Sequence, residues 1–261
     1  TAQKQIPAGD FRLFFDTAQE KLGASLLSYR PDESNDGYFL LLASPEVKAA
    51  DEDQQPKTVV LVVDRSGSMA GKKIDQAKEA LRFVLNNLRA GDLFNIVVYD
   101  SSVEVFRPEL QRFDEGTRKQ ALGFVEGIYA GGSTNIDAAL QSALGMLSVP
   151  QRPSFVLFLT DGLPTVGEKN PVKIAQQART ANRVGARLIS FGVGYDVNSR
   201  LLDRLSRDNR GQSGYVRPDE DIEAHVSRLY GRISAPVMTG MTVNVDIEGQ
   251  RMRSDESVNR R

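Results

Sequence analysis

The central part of the chain alternates short apolar runs with segments whose apolar residues recur every three or four positions. Thr58–Val63 (TVVLVV) is an unbroken, β-branched run, the pattern of a strand buried on both faces. In Lys73–Arg89, Ile74, Ala77, Leu81, Val84, Leu85 and Leu88 form one stripe, which predicts a helix. Gly91–Asp92 interrupts it, and Leu93–Tyr99 reads as the next strand. Val103–Phe106 reads as a short edge strand, and Arg118–Gly127 and Asn135–Leu147 as helices. Ser154–Thr160 (SFVLFLT) is a third buried strand, followed by a helix at Pro171–Val184 and a strand at Arg187–Gly192. Helices at Ser199–Ser206 and Asp219–Ile233 flank a short strand near Ser213–Val216. Strands alternating with helices predict an α/β fold: a doubly wound, mostly parallel sheet with helices on both faces. This domain is placed at residues 56–235.

The two ends carry a different pattern. Asp10–Phe15 and Gly37–Ala43 are strand-like with no helix between them, and Ser44–Lys57 is a charged linker. Met241–Ile247 (MTVNVDI) alternates strictly, as a half-buried strand does. Residues 1–55 and 236–261 therefore read as parts of one small β subdomain into which the α/β domain is inserted. The alternative is that each end is a loose arm. The polar tail Arg251–Arg261 is expected to be disordered.

Composition narrows the chemistry. Lys and Arg number 33 and Asp and Glu 34, so no broad basic footprint for nucleic acid exists. No apolar run reaches the roughly 18 residues of a membrane helix, so no membrane insertion is expected. The chain has no cysteine, which excludes disulfides, thiolate metal sites and a cysteine nucleophile. It has one histidine, His225, which excludes His-rich zinc sites. It begins at Thr1 without an apolar leader and reads as a fragment of a longer protein.

Three oxygen-rich segments fall at strand ends or helix starts. The first strand runs into Asp64-Arg65-Ser66-Gly67-Ser68, and the third ends in Thr160-Asp161-Gly162. Between them, Gly131-Gly132-Ser133-Thr134-Asn135 opens a helix. In an open parallel sheet, ligands bind outside the carboxyl ends of the strands. Two carboxylates and several hydroxyls, without nitrogen or sulfur, select a hard cation: Mg²⁺, with Ca²⁺ or Mn²⁺ as alternatives. Mg²⁺ takes one or two carboxylates and keeps water, which leaves a position for an acidic group from a protein partner. Arg65, Gly132, Ser133 and Gly162 are the expected ligand rim. Arg65 either meets a ligand carboxylate or points to solvent.

Asp64-x-Ser66-x-Ser68, Thr134 and Asp161 together resemble the metal-ion-dependent adhesion site of von Willebrand factor type A domains, in order, spacing and strand context. The resemblance implies Ser66, Ser68 and Thr134 as hydroxyl ligands, with Asp64 and Asp161 binding directly or through water. It also implies that Thr134 and Asp161 exchange direct and water-mediated roles between affinity states. The run Val59–Met69, then Ala70-Gly71-Lys72-Lys73-Ile74, Gly91–Asn95 and Gly131–Ile136, is similar to inter-alpha-trypsin inhibitor heavy chains and their bacterial relatives. In that group β structure flanks the type A domain on both sides. The vault-protein-like domain and the carboxy-terminal glycosaminoglycan-ester motif of the vertebrate chains are not seen here. The resemblance thus implies metal-dependent protein binding in a secreted or cell-surface setting. The alternative is an intracellular type A adaptor for an ATPase.

Enzyme readings fail on residue inventory. A serine nucleophile at Ser66 or Ser68 needs a nearby base, and His225 lies on the last predicted helix. A haloacid-dehalogenase-type phosphatase needs a second Asp two positions after the first, where Ser66 stands. Gly192-Val193-Gly194 lacks the third glycine of a dinucleotide loop. No catalytic residue is assigned.

Overall fold

The computed structural model describes residues 22–29, 38–45, 55–149, 151–217, 219–234, 243–247 and 250–254. Its first elements are β1 (Leu22–Tyr29), β2 (Tyr38–Pro45), β3 (Thr58–Asp64), a 3-10 turn at Gly67–Met69, α1 (Lys72–Asn86) and β4 (Leu93–Tyr99). Next come β5 (Val103–Val105), β6 (Gln111–Arg112), α2 (Glu115–Glu126), α3 (Ile136–Gly145), β7 (Ser154–Thr160) and α4 (Pro171–Ala181). The remainder is β8 (Arg187–Val193), α5 (Ser199–Asp208), β9 (Ser213–Val216), α6 (Ile222–Ser234), β10 (Val243–Ile247) and β11 (Gln250–Ser254). Residues 55–234 form one compact unit, and 1–54 with 235–261 form another.

In the larger unit, seven strands form a sheet ordered β5-β4-β3-β7-β8-β9, with β6 also paired to β4. β4, β3, β7, β8 and β9 run parallel to one another. β5 and β6 run antiparallel to β4 at one edge. The chain steps from β3 out to β4, then returns to place β7 on the other side of β3. That reversal makes the carboxyl end of β3 a switch point, where an open sheet leaves a crevice.

The buried strands feed two cores because successive side chains point to opposite faces. Val59, Leu61 and Val63 of β3 pack with Ile74 and Leu81 of α1, Val125 of α2 and Val226 of α6. Val60 and Val62 pack with Leu140 of α3, Ile174 of α4 and Leu201 and Leu205 of α5. The doubly wound sheet with helices on both faces, expected from the sequence, is the fold observed.

Several element ends differ from the sequence reading, and local hydrogen bonds account for most of them. α2 begins at Glu115 rather than Arg118, because Asp114 caps it. Thr117 N donates to Asp114 Oδ1 at 2.7 Å, and Asp114 N donates to Thr117 Oγ1 at 3.0 Å. α1 stops at Asn86, and the following turn is tied by Arg89 N donating to Asp92 Oδ2 at 3.0 Å. α6 begins at Ile222 rather than Asp219, with Asp221 Oδ1 accepting from Glu223 N at 2.9 Å.

In the smaller unit β1 pairs antiparallel with β2, and β10 with β11. The strand expected at Gly37–Ala43 is β2. Its partner β1 (LGASLLSY) is rich in Gly, Ala and Ser and carries little strand propensity, so pairing rather than composition defines it. The strand expected at Asp10–Phe15 lies outside the described residues. The tail reading needs correction: Arg251–Ser254 belongs to β11, with Met252 opposite Val245. Positions 255–261 lie outside the described residues.

Candidate metal centre

Asp64 closes β3 at the carboxyl edge and is 0% exposed. Its Oδ1 accepts from Ser66 N at 2.7 Å, which folds the chain back over the strand end. Its Oδ2 accepts from Thr160 Oγ1 at 2.7 Å and Tyr99 OH at 3.4 Å. Burial raises the Asp64 carboxyl above the usual aspartate range, against the lowering effect of the Thr160 and Ser66 donors, and Asp161 adds to the rise. Burial also pushes the Tyr99 phenol well up, reinforced by the charge of Asp64.

After this turn, Ser66 Oγ and Ser68 Oγ lie 3.1 Å apart. Ser68 Oγ donates to Asp161 Oδ1 at 2.8 Å, linking the ends of β3 and β7. The Gly-rich loop docks on the same turn: Gly67 N donates to Gly132 O at 3.0 Å and Gly131 N to Arg65 O at 2.8 Å. Gly132 has φ +81°, and a Cβ there would stand 3.1 Å from both Asp100 Cβ and Ser101 Oγ, so glycine is required. Thr134 is then held at both backbone ends. Its N donates to Thr165 Oγ1 at 2.8 Å, and its O accepts from Thr165 N at 2.9 Å. A Cβ built on Gly162 would lie 3.8 Å from Ser68 Oγ and 3.9 Å from Thr134 Oγ1, so both hydroxyls flank one point.

All five residues singled out in the sequence thus stand around one spot on the carboxyl edge. Ser66, Thr134 and Asp161 are buried, while Ser68 is exposed and marks the open side. Among the described residues, no group of three or more His, Cys, Asp or Glu could hold a metal. The cluster at this edge offers two carboxylates and three hydroxyls. The donor set is all oxygen, and it fits a hard divalent cation.

The rim residues have distinct fates. Ser133 N donates to Ser101 Oγ at 3.0 Å, and Gly162 N to Thr160 Oγ1 at 3.3 Å. The Arg65 guanidinium is turned to Asp100 Oδ2 at 3.0 Å and Glu104 Oε2 at 2.6 Å. It braces the ends of β3, β4 and β5. His225 sits on α6 with Nε2 3.5 Å from Glu220 Oε2.

One residue at the centre was not singled out by sequence reasoning. Lys73, in the first turn of α1, places Nζ 2.6 Å from Asp161 Oδ2 and donates to Ser68 O at 3.2 Å. The available signal was a lysine one helical turn past the Asp-x-Ser-x-Ser segment, at a helix N-terminus where a cation is disfavoured.

Fold and site define an α/β domain with a hydroxyl–carboxylate centre at the switch point of its sheet. Residues 58–229 match the von Willebrand factor type A domain family, and the chain belongs to that family. It is 32% identical over 248 residues to human inter-alpha-trypsin inhibitor heavy chain H4, covering 92% of this chain and 26% of that protein. It is 31% identical over 245 residues to the pig heavy chain H2, covering 90% and 25%. The chain thus spans about a quarter of the length of these relatives. A type A protein from Catenulispora acidiphila shares the fold, with TM-score 0.62 and 21% identity over 86% of this chain and 47% of that one. Proximal thread matrix protein 1 of the mussel byssus, with a zinc-occupied adhesion-site motif, gives TM-score 0.53 and 17% identity over 69% and 47%. Among the described residues, no helix is long and apolar enough to cross a membrane.

Proposed function

We propose that the type A domain is a divalent-cation-dependent protein-binding module without catalytic activity. The observation that carries this reading is the run of oxygens from Ser66 Oγ through Ser68 Oγ to Asp161 Oδ1, each within 3.1 Å of the next, at the open side of the sheet edge. Ser66, Ser68, Thr134, Asp64 and Asp161 would hold the cation, Mg²⁺ first and Ca²⁺ or Mn²⁺ as alternatives. When bound, the cation supplies a Lewis-acid position for an Asp or Glu of a protein partner. This chain's residues fix the geometry: Asp64 is clamped by Ser66, Thr160 and Tyr99, and Thr134 by Thr165. Gly132, Ser133 and Gly162 line the rim.

The inserted arrangement is part of the proposal. Residues 1–55 and 236–261 would form the flanking β subdomain, with the type A domain at 56–235 between them. The likeness to heavy chains of a trypsin inhibitor supports a secreted or cell-surface setting.

The test is calorimetric titration of chelator-stripped protein with Mg²⁺, Ca²⁺, Mn²⁺ and Zn²⁺. One saturable site, lost in Ser68→Ala and Thr134→Ala with the fold intact by circular dichroism, is the expected result. Equal binding by wild type and both variants would overturn the assignment.

A further inference from the structure

Lys73 stands where helix physics argues against it. It occupies the first turn of α1 beside Lys72, at the positive end of the helix dipole. A lysine there gains nothing from the helix. Its side chain is one-third exposed, yet its ammonium sits on the fully buried carboxylate of Asp161, at 2.6 Å. It also bonds the carbonyl of Ser68 at 3.2 Å, so it spans two of the proposed ligand residues. Gly194 is also near, since a Cβ built on it would stand 3.8 Å from Nζ. A local rule broken at a site in this manner points to a role at the site.

We infer that Lys73 is a positioning residue that sets the cation affinity of the centre by sharing Asp161 with the metal. The inference rests on the cation-binding reading above. The ammonium puts one positive charge 2.6 Å from Asp161 Oδ2, a carboxylate that the cation would also use. A cation that draws on Asp161 meets a carboxylate already paired with an ammonium, and it meets the repulsion of a charge held close by. The lysine therefore holds affinity down. It also leaves the cation-loaded centre one unit more positive, which suits an anionic side chain from a partner.

The test is titration with Mn²⁺ and Mg²⁺ of the whole chain as wild type, Lys73→Met and Lys73→Arg, with Ser68→Ala as the site control. Lys73→Met should bind about tenfold more tightly or better, judged from two like charges at contact distance in a partly solvated site. Lys73→Arg should stay near wild type, because charge and not shape carries the effect. In chelator, Lys73→Met should melt below wild type, since buried Asp161 then lacks its counter-charge. Lys73→Gln repeats the comparison should Lys73→Met fail to fold. Unchanged or weaker binding by the neutral variants would overturn the inference. If that occurs while Ser68→Ala still abolishes binding, the cation reading stands and only the role of Lys73 falls. If neither wild type nor the neutral variants bind a cation, both fall.

Discussion

Ser68 Oγ donates to Asp161 Oδ1 across 2.8 Å, although 93 positions separate the two residues. The bond joins the loops after β3 and β7, two strands that are parallel neighbours in register from Thr58–Ser154 to Val63–Leu159. Parallel register brings both strand ends to the same edge, so the two loops meet without further distortion. Asp161→Asn keeps the shape of this contact and removes one of two charges. Cation affinity should fall by about a hundredfold or more, since altering a ligand costs at least what removing an outer-shell partner does. Titration against wild type checks it, and circular dichroism should show an unchanged fold.

The buried carboxylate beneath the centre depends on a hydroxyl from the neighbouring strand. Thr160 Oγ1 reaches Asp64 Oδ2 at 2.7 Å in a fully buried setting. Thr160→Val preserves volume but withdraws the donor. An acceptor left short of partners in a buried site costs about 1–3 kcal/mol. Urea unfolding at neutral pH should show a lower midpoint with an unchanged slope.

Gly167 holds the support of Thr134 in place. Its φ is +71°, and a Cβ there would stand 2.4 Å from Asn135 Oδ1, the atom that caps α3 by accepting from Ala138 N. Gly167→Ala should cost about 1–3 kcal/mol from the left-handed backbone alone. It should also weaken cation binding, because the loop that carries Thr165 against Thr134 must shift. Loss of stability with unchanged affinity would separate the two effects.

At the opposite edge of the sheet, Lys57 Nζ and Asp92 Oδ2 form a buried pair at 2.9 Å. Asp92 Oδ1 also accepts from Lys57 N at 2.9 Å. Lys57 lies over the Tyr230 ring at 5.6 Å, so the pair anchors α6 to the sheet. Lys57→Met leaves Asp92 buried without its counter-ion and should cost about 3–5 kcal/mol. Asp92→Leu should cost at least as much, since it also removes the acceptor for two backbone N–H groups. Thermal unfolding compares the two.

Stability toward acid should report on Asp100. Burial by itself raises this carboxyl, but the Ser102 N–H and hydroxyl and the Arg65 guanidinium outweigh it and hold it below the usual value. A carboxylate held low in the folded state adds stability above the unfolded-state value, about pH 4. That contribution is lost as pH falls through the lower folded value. Asp100→Asn should therefore narrow its stability gap to wild type below about pH 4, read as melting temperature against pH. A gap that stays constant into acid would show that the charge of Asp100 contributes nothing.

Much of the fold is set by the sequence alone. The buried strands are nearly pure β-branched and aromatic runs, and the helices carry single apolar stripes, so β3, β4, β7 and β8 stand in the sequence almost to the residue. That Asp64, Ser66, Ser68, Thr134 and Asp161 gather at one sheet edge was also legible, since each stands at a strand end or beside a helix start. Tertiary structure decided the rest. Strand β1 has little propensity of its own and is defined by its pairing with β2. Capping by Asp114 started α2 early, and β11 formed where charge density suggested disorder. Arg65 was drawn to Asp100 and Glu104, and Lys73 to Asp161, over separations of 35, 39 and 88 positions. A charged side chain chooses among partners by distance and desolvation, and neither is a property of its sequence neighbours.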